Sequence, residues 1–258
     1  MKTSTLIACI SPVEGSGCKY ASATIASALR AKYPKAKIAL VDFDLANPYL
    51  LAEQTMNDRV HGIDNLLDKI SAEVLTQDLF KENMIKIGSE FDFLKGTKRI
   101  GRENYFTKKH ILKTIELLRQ TYEYIVVAIP PRENNSATIF TLNSADHIVM
   151  VVRPNVANLM NINDTISACK KLRHSTAVDV NVLYNMRASQ NDIEPFSKSI
   201  NENDVRPIGY MSFDPNTVDN QNIGGSFLKD KIAKIGKKNE NLARVKEALN
   251  ILLSSDTK

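Results

Sequence analysis

Cysteine is scarce in this chain. Its three residues, Cys9, Cys18 and Cys169, are too few and too widely spaced for a disulfide framework or a cysteine metal cluster. No apolar run is long enough to cross a bilayer, and the first ten residues lack the charged start and long apolar core of a signal peptide. A cytoplasmic protein is therefore expected. Glycine, proline and serine are scattered rather than clustered, so no linker or low-complexity block divides the 258 residues. With 43% hydrophobic residues and no division, one α/β domain over residues 1–258 is expected.

What the chain does have is alternation. Short runs rich in Ile, Val and Leu predict strands at 6–11, 37–43, 84–88, 91–96, 123–129, 146–152, 179–185 and 206–212. Several carry no polar alternation, which implies burial on both faces of a parallel sheet. Helical patterns fill the gaps at 18–31, 63–70, 105–121, 155–173, 191–201 and 240–253. Strand, crossover helix and parallel strand predict a doubly wound, mostly parallel sheet flanked by helices, with ligands at the carboxyl ends of the strands.

At such an end lies SPVEGSGCKY (11–20), between the first strand and the first helix. A Gly-rich turn there offers free backbone N–H groups and a helix dipole to an anion. The second strand ends in Asp42-Phe43-Asp44, followed by a polar turn with Asn47 and Pro48. ISPVEGSGCKYASATIASAL (10–29) together with KIALVDFDLANPYL (37–50) resembles the MinD/ParA family of P-loop ATPases, and within it the TadZ/CpaE-type members associated with pilus and secretion systems. GIDNLLDKI (62–70), FDFLKGT (91–97), YEYIVVAIPP (122–131), VNVLYNMR (180–187) and MSFDPNTVDNQNIGGSFL (211–228) resemble later family segments in the right order. The resemblance runs over about residues 5–230 and implies a P-loop NTPase fold.

It also exposes consistent departures. The family loop reads K-G-G-x-G-K-T. Laid on it without a gap, Val13 falls on the Lys that reaches across a dimer, and Glu14 on the first Gly. Gly15 and Gly17 are kept. Cys18 falls on the phosphate-binding Lys, Lys19 on the magnesium-binding Thr, and Ala128 on the Walker B Asp. Phosphoryl transfer depends on positioning and charge neutralisation by Lys and Mg²⁺. Losing one such group costs on the order of 10²–10³-fold in rate. These losses imply a pseudo-ATPase that acts as a scaffold or as a positioning and recruitment protein for a pilus, secretion or conjugation system. The alternatives are a slow ATP-binding ATPase and a DNA- or membrane-associated adaptor.

The resemblance assigns any nucleotide contacts to Gly15, Ser16, Gly17, Cys18, Lys19, Tyr20, Asn185 and Asp214; the site is either empty or holds ATP or ADP without magnesium, and no metal site is expected. Lys19 serves as a phosphate ligand if the loop bulges by one residue; in the standard register it points to the magnesium position. Asp42 and Asp44 are the retained carboxylates, which organise either catalytic water or the strand–loop junction. Asn185 and Asp214 either read adenine or form turns. Cys18, at a helix N-terminus beside Lys19, is either a thiol of lowered pKa or a small tolerated residue. His61, His110, His147 and His174 lack metal spacing and read as surface or helix-end residues.

The net charge is +5, with a pI near 9.0. Basic residues concentrate in 95–119 (Lys95, Lys98, Arg99, Arg102, Lys108, Lys109, Lys113, Arg119) and in 229–238. These are either solvated faces or contacts for DNA or an anionic membrane. The segment 241–258 reads as an amphipathic helix with Leu242, Val245, Leu249 and Leu252 on one face and a polar tail. It either packs on the sheet or lies on a membrane, which would place the protein peripherally at the inner membrane or a cell pole. Partner proteins of a larger assembly and a homodimer are expected.

Overall fold

The structure, a computed structural model, describes residues 4–55, 57–58, 60–98, 101–131, 135–173, 180–187, 205–213 and 240–254. Eight strands form one sheet: β1 (Thr5–Ile10), β2 (Ile38–Asp42), β3 (Ile85–Ile87), β4 (Phe91–Leu94), β5 (Tyr124–Ala128), β6 (His147–Val152), β7 (Val180–Arg187) and β8 (Val205–Ser212). Their order is β3-β4-β2-β5-β1-β6-β7-β8. Every neighbouring pair is parallel except the β3–β4 edge hairpin. The expected doubly wound, mostly parallel sheet is what the chain forms.

Continuous apolar strands fit this arrangement because each buries both faces. Leu6, Ala8 and Ile10 of β1 enter one apolar layer, and Ile7 and Cys9 enter the other. The first layer lies beneath α3 (Asp64–Ser71), α5 (Lys108–Thr121), α6 (Ser136–Ser144) and α7 (Val156–Arg173). The second lies beneath α1 (Cys18–Lys32) and the last helix, α8 (Glu240–Leu253). Two short helices, α2 (Ala52–Thr55) and α4 (Gln77–Lys81), complete the described helices.

Differences from the sequence expectation are local. The helix expected at 105–121 begins at Lys108. A 3-10 turn over Glu103–Tyr105 precedes it, and a capping box between Thr107 and His110 starts it. Helices α2, α4 and α6 were not expected. SATIFTLNS in α6 is rich in β-branched residues, and its start depends on the Asn135 side chain accepting the Thr138 N–H at 2.7 Å. His147 is not a surface residue: it is buried in β6. The helix expected at 191–201 lies outside the described residues.

α8 is a core helix. Leu242, Val245, Ala248, Leu249 and Leu252 are buried against α1 and β8. A Cβ at Gly209 of β8 would stand 3.4 Å from the Cβ of Ala248, so the missing side chain allows the close approach. The apolar face of the expected amphipathic helix is thus covered by its own sheet.

Candidate functional site

The loop at 11–17 leaves β1 and enters α1 at the carboxyl edge of the sheet. Gly15 (φ 79°) and Gly17 (φ 85°) turn it through the left-handed region, where a Cβ is costly. Gly17 is the N-cap of α1. The Ser11 hydroxyl donates to the Val13 carbonyl at 3.0 Å. The Ser16 hydroxyl, buried, lies 2.9 Å from both the Val13 carbonyl and Asn158 Oδ1. Asn158 is itself held by Asn155, whose Oδ1 accepts both the backbone N–H and the Nδ2 of Asn158 at 2.9 Å. From the other side, Asn185 Nδ2 donates to the Ser16 carbonyl at 2.9 Å. The loop is therefore pinned by α7 and β7 together.

Asn185 is thus a buried strand residue, not a turn former, and its amide supports the loop. Sequence reasoning missed Asn158. The signal was present: Asn155-x-x-Asn158 is an N-cap pattern at the start of a helix.

Lys19 lies in the first turn of α1 and reaches across the cleft to the loop after β2. Its ammonium is 2.8 Å from Asp44 Oδ2, donates to the Asn47 carbonyl, and sits 5.8 Å from the centre of the Tyr49 ring. Lys19 is two residues beyond Gly17 within an unbroken helix, so the bulged register is not formed. Asp44 Oδ1 accepts the Asn47 N–H at 3.2 Å. Asp42 is buried, and its two oxygens accept N–H groups of Asp44 (3.1 Å) and Leu50 (3.0 Å). Burial pushes the Asp42 carboxyl up to about 7, against the opposing pull of Lys19. Both carboxylates are thus used in shaping the strand–loop junction.

Cys18 opens α1, partly covered, with its thiol donating to the Cys9 carbonyl at 3.1 Å. Desolvation, and secondarily the neighbouring Cys9, raises its pKa well above the ordinary thiol value. This counts against the reading of Cys18 as a thiol of lowered pKa: Lys19 does pull the value down, but the loss of solvent around the inward-facing S–H outweighs it. Burial lifts Cys9 as well, to about 12.

Ala128 ends β5, the strand between β1 and β2. It is in register with Cys9 on one side and Asp42 on the other. These residues do not fit a magnesium ion. Lys19 brings an ammonium to this edge, Ala128 a methyl group, and the oxygens of Asp42 and Asp44 already accept N–H groups or face Lys19. Among the described residues, no group of three or more His, Cys, Asp or Glu is placed to hold a metal.

A cleft of about 330 Å³ lies over this edge, lined by Glu14, Gly15, Gly17, Cys18, Lys19, Asp44 and Tyr49 among others. Among the described lining residues the formal charges are the carboxylates Glu14 and Asp44 against the ammonium Lys19, a local balance that disfavours a polyphosphate. Tyr20 does not line it. The Tyr20 hydroxyl faces Asn241 of α8 at 3.4 Å, and the residue packs into the layer beneath α1. Asp214 and the basic stretch 229–238 lie outside the described residues.

The stretch 95–119 does not form one free basic face. Lys95 donates to the carbonyls of Thr55 (2.8 Å) and Asp58 (3.1 Å), and Arg119 to those of Ser4 (2.9 Å) and Ser144 (2.6 Å). Lys109 pairs with Glu73 and Lys113 with Glu116. Arg102 lies over the Tyr105 ring and Lys108 over that of Phe140. No described helix is long and apolar enough to cross a membrane.

No protein-family model matches the chain, and no curated protein matches it in sequence. Solved structures do match its fold. The ParA family ATPase of Chlorobium tepidum superposes with a TM-score of 0.79 at 17% identity, covering 97% of this chain and 100% of that one. The MinC:MinD cell division complex of Aquifex aeolicus gives 0.71 at 18%, covering 97% and 96%. The septum site-determining protein MinD of Pyrococcus horikoshii, complexed with Mg-ADP, gives 0.73 at 16%, covering 98% of each chain. The chain has the fold of the MinD/ParA P-loop ATPases.

Proposed function

We propose that this chain is a MinD/ParA-like pseudo-ATPase, a single P-loop NTPase-like domain over residues 1–258 that has kept the body of the fold and lost its means of hydrolysis. It acts as a scaffold, or as a positioning and recruitment protein, for partner proteins of a pilus, secretion or conjugation system, in the manner of the TadZ/CpaE-like branch. It works in the cytoplasm, peripherally at the inner membrane or cell pole through those partners. The observation that carries this reading is the pairing of Lys19 with Asp44 at 2.8 Å, at a site where Cys18 and Ala128 replace the charged groups that phosphoryl transfer requires.

The loop geometry favours a second reading. Gly15 and Gly17 keep positive φ, and a cleft remains beside them. A nucleotide held without magnesium would use Gly15, Ser16, Gly17, Cys18 and Lys19, with Lys19 released from Asp44.

Calorimetry with an ATP analogue, with and without EDTA, separates the two readings. The pseudo-ATPase without ligand gives no heat in either condition, and the metal-free nucleotide site gives equal heat in both. Heat that EDTA abolishes contradicts both. Because Val13 stands where the trans-acting Lys would be, any homodimer is expected to form without nucleotide. Light scattering that shows ATP-dependent dimerisation counts against the pseudoenzyme.

A further inference from the structure

We propose that Lys19 is the latch of a strap, residues 43–51, and holds that strap across the cleft whether or not nucleotide is present. The inference rests on reading the site as nucleotide-independent, and it concerns regulation: a surface that a ligand would otherwise order is ordered by the chain itself.

The strap leaves β2 at Asp42 and runs to the start of α2. Its own turn is internally tied: Asp42 accepts the N–H groups of Asp44 and Leu50, Asp44 Oδ1 accepts that of Asn47, and the Asn47 carbonyl accepts that of Tyr49 at 2.8 Å. It is also seated laterally. A Cβ at Gly96 would come within 2.8 Å of the Cβ of Pro48, so the absent side chain leaves a notch for the proline. These ties set the strap's shape, and Leu50 and Leu51 at its far end pack into the apolar layer beneath α1.

Lys19 adds the polar join to α1, at the turn over residues 44–49. An ammonium has three donors and no acceptor. In this site it meets the Asp44 carboxylate and the Asn47 carbonyl, two strap groups three residues apart, and lies near the Tyr49 ring. One cation gathering a carboxylate and a carbonyl does for the loop what a divalent ion would do, without a site to fill or empty. The pair is only partly exposed, 28% for Lys19 and 11% for Asp44, so solvent screens it less than a surface ion pair. At the crest of the strap, Tyr49 is 59% exposed and held outward. The strap is therefore a constitutive surface, not a sensor of nucleotide.

Amide hydrogen exchange on the full chain, read by mass spectrometry over residues 43–51, tests the latch. In the wild-type chain, protection of the strap is expected to be the same with and without millimolar Mg-ATP. Lys19→Met is expected to accelerate exchange across the strap by about tenfold or more, with β1 and β5 unchanged. Protection that rises with Mg-ATP in the wild type, or that survives Lys19→Met, overturns the proposal. Should Lys19→Met fail to fold, Asp44→Asn keeps the side chain's shape, removes its charge, and is read against the same two outcomes. Calorimetry keeps the two readings apart. Heat on adding ATP with an unchanged strap contradicts the nucleotide-free site and leaves the latch, whereas no heat with an indifferent strap in Lys19→Met removes the latch alone.

Discussion

The Asn185 amide nitrogen that donates to the Ser16 carbonyl would stand 2.1 Å from a Cβ placed on Gly17. One contact thus supports the loop and also excludes any side chain from its last residue.

Gly17→Ala is therefore expected to be costly twice over, through the clash and through the positive φ. A loss on the order of 2–4 kcal/mol in urea denaturation is expected. Adding Asn185→Ala should relieve the clash but not the backbone strain, so the double variant should regain only part of the loss. Full recovery would show that the backbone term is negligible; no recovery would show that Asn185 yields freely.

Asp42 makes stability depend on pH in an unusual direction. Burial lifts its carboxyl to about 7 in the folded chain, well above the ordinary carboxylate range, so the folded state holds the proton more tightly. Between about pH 4 and pH 7 the folded chain binds more protons than the unfolded one, and this group's contribution falls as pH rises through that window. The loss is on the order of 2–4 kcal/mol and levels off above the folded pKa. Asp42→Asn is expected to flatten this component, measured as the difference in urea midpoint between about pH 5 and about pH 8. An unchanged slope would place the titration elsewhere.

The last helix gives a test with no bearing on nucleotide. Leu249 is 1% exposed, packed in the layer beneath α1 and α8. Leu249→Ala is expected to cost about 2–5 kcal/mol, by lost burial and a residual cavity. A helix whose apolar face served a membrane would lose vesicle binding instead and keep its melting temperature.

Much of the fold was legible because its strands are long apolar runs that only burial on both faces explains. β1, β5 and β6 were readable for that reason. α6 was not, since its β-branched composition opposes its state and a single cap, Asn135, together with packing, decides it. At the site, Gly15, Gly17 and Asp42 were legible from type and spacing, because turns and strand ends constrain residues locally. The pairing of Lys19 with Asp44, the Asn158 tie to Ser16 and the inward thiol of Cys18 depend on which segments meet across the cleft. No local pattern carries that information. Tyr20 was misplaced for a related reason: its position in the first turn is right for the cleft, but its side chain turns toward Asn241 of α8.

The row Cys9, Ala128 and Asp42, set abreast by strand register, limits which changes this edge can take singly. An acidic residue placed at 128 would arrive beside the buried Asp42, while the Lys19 ammonium is committed to Asp44. A lysine placed at 18 would arrive beside that same ammonium. Each substitution alone is uphill, so new charge enters this edge of the sheet only as a matched pair.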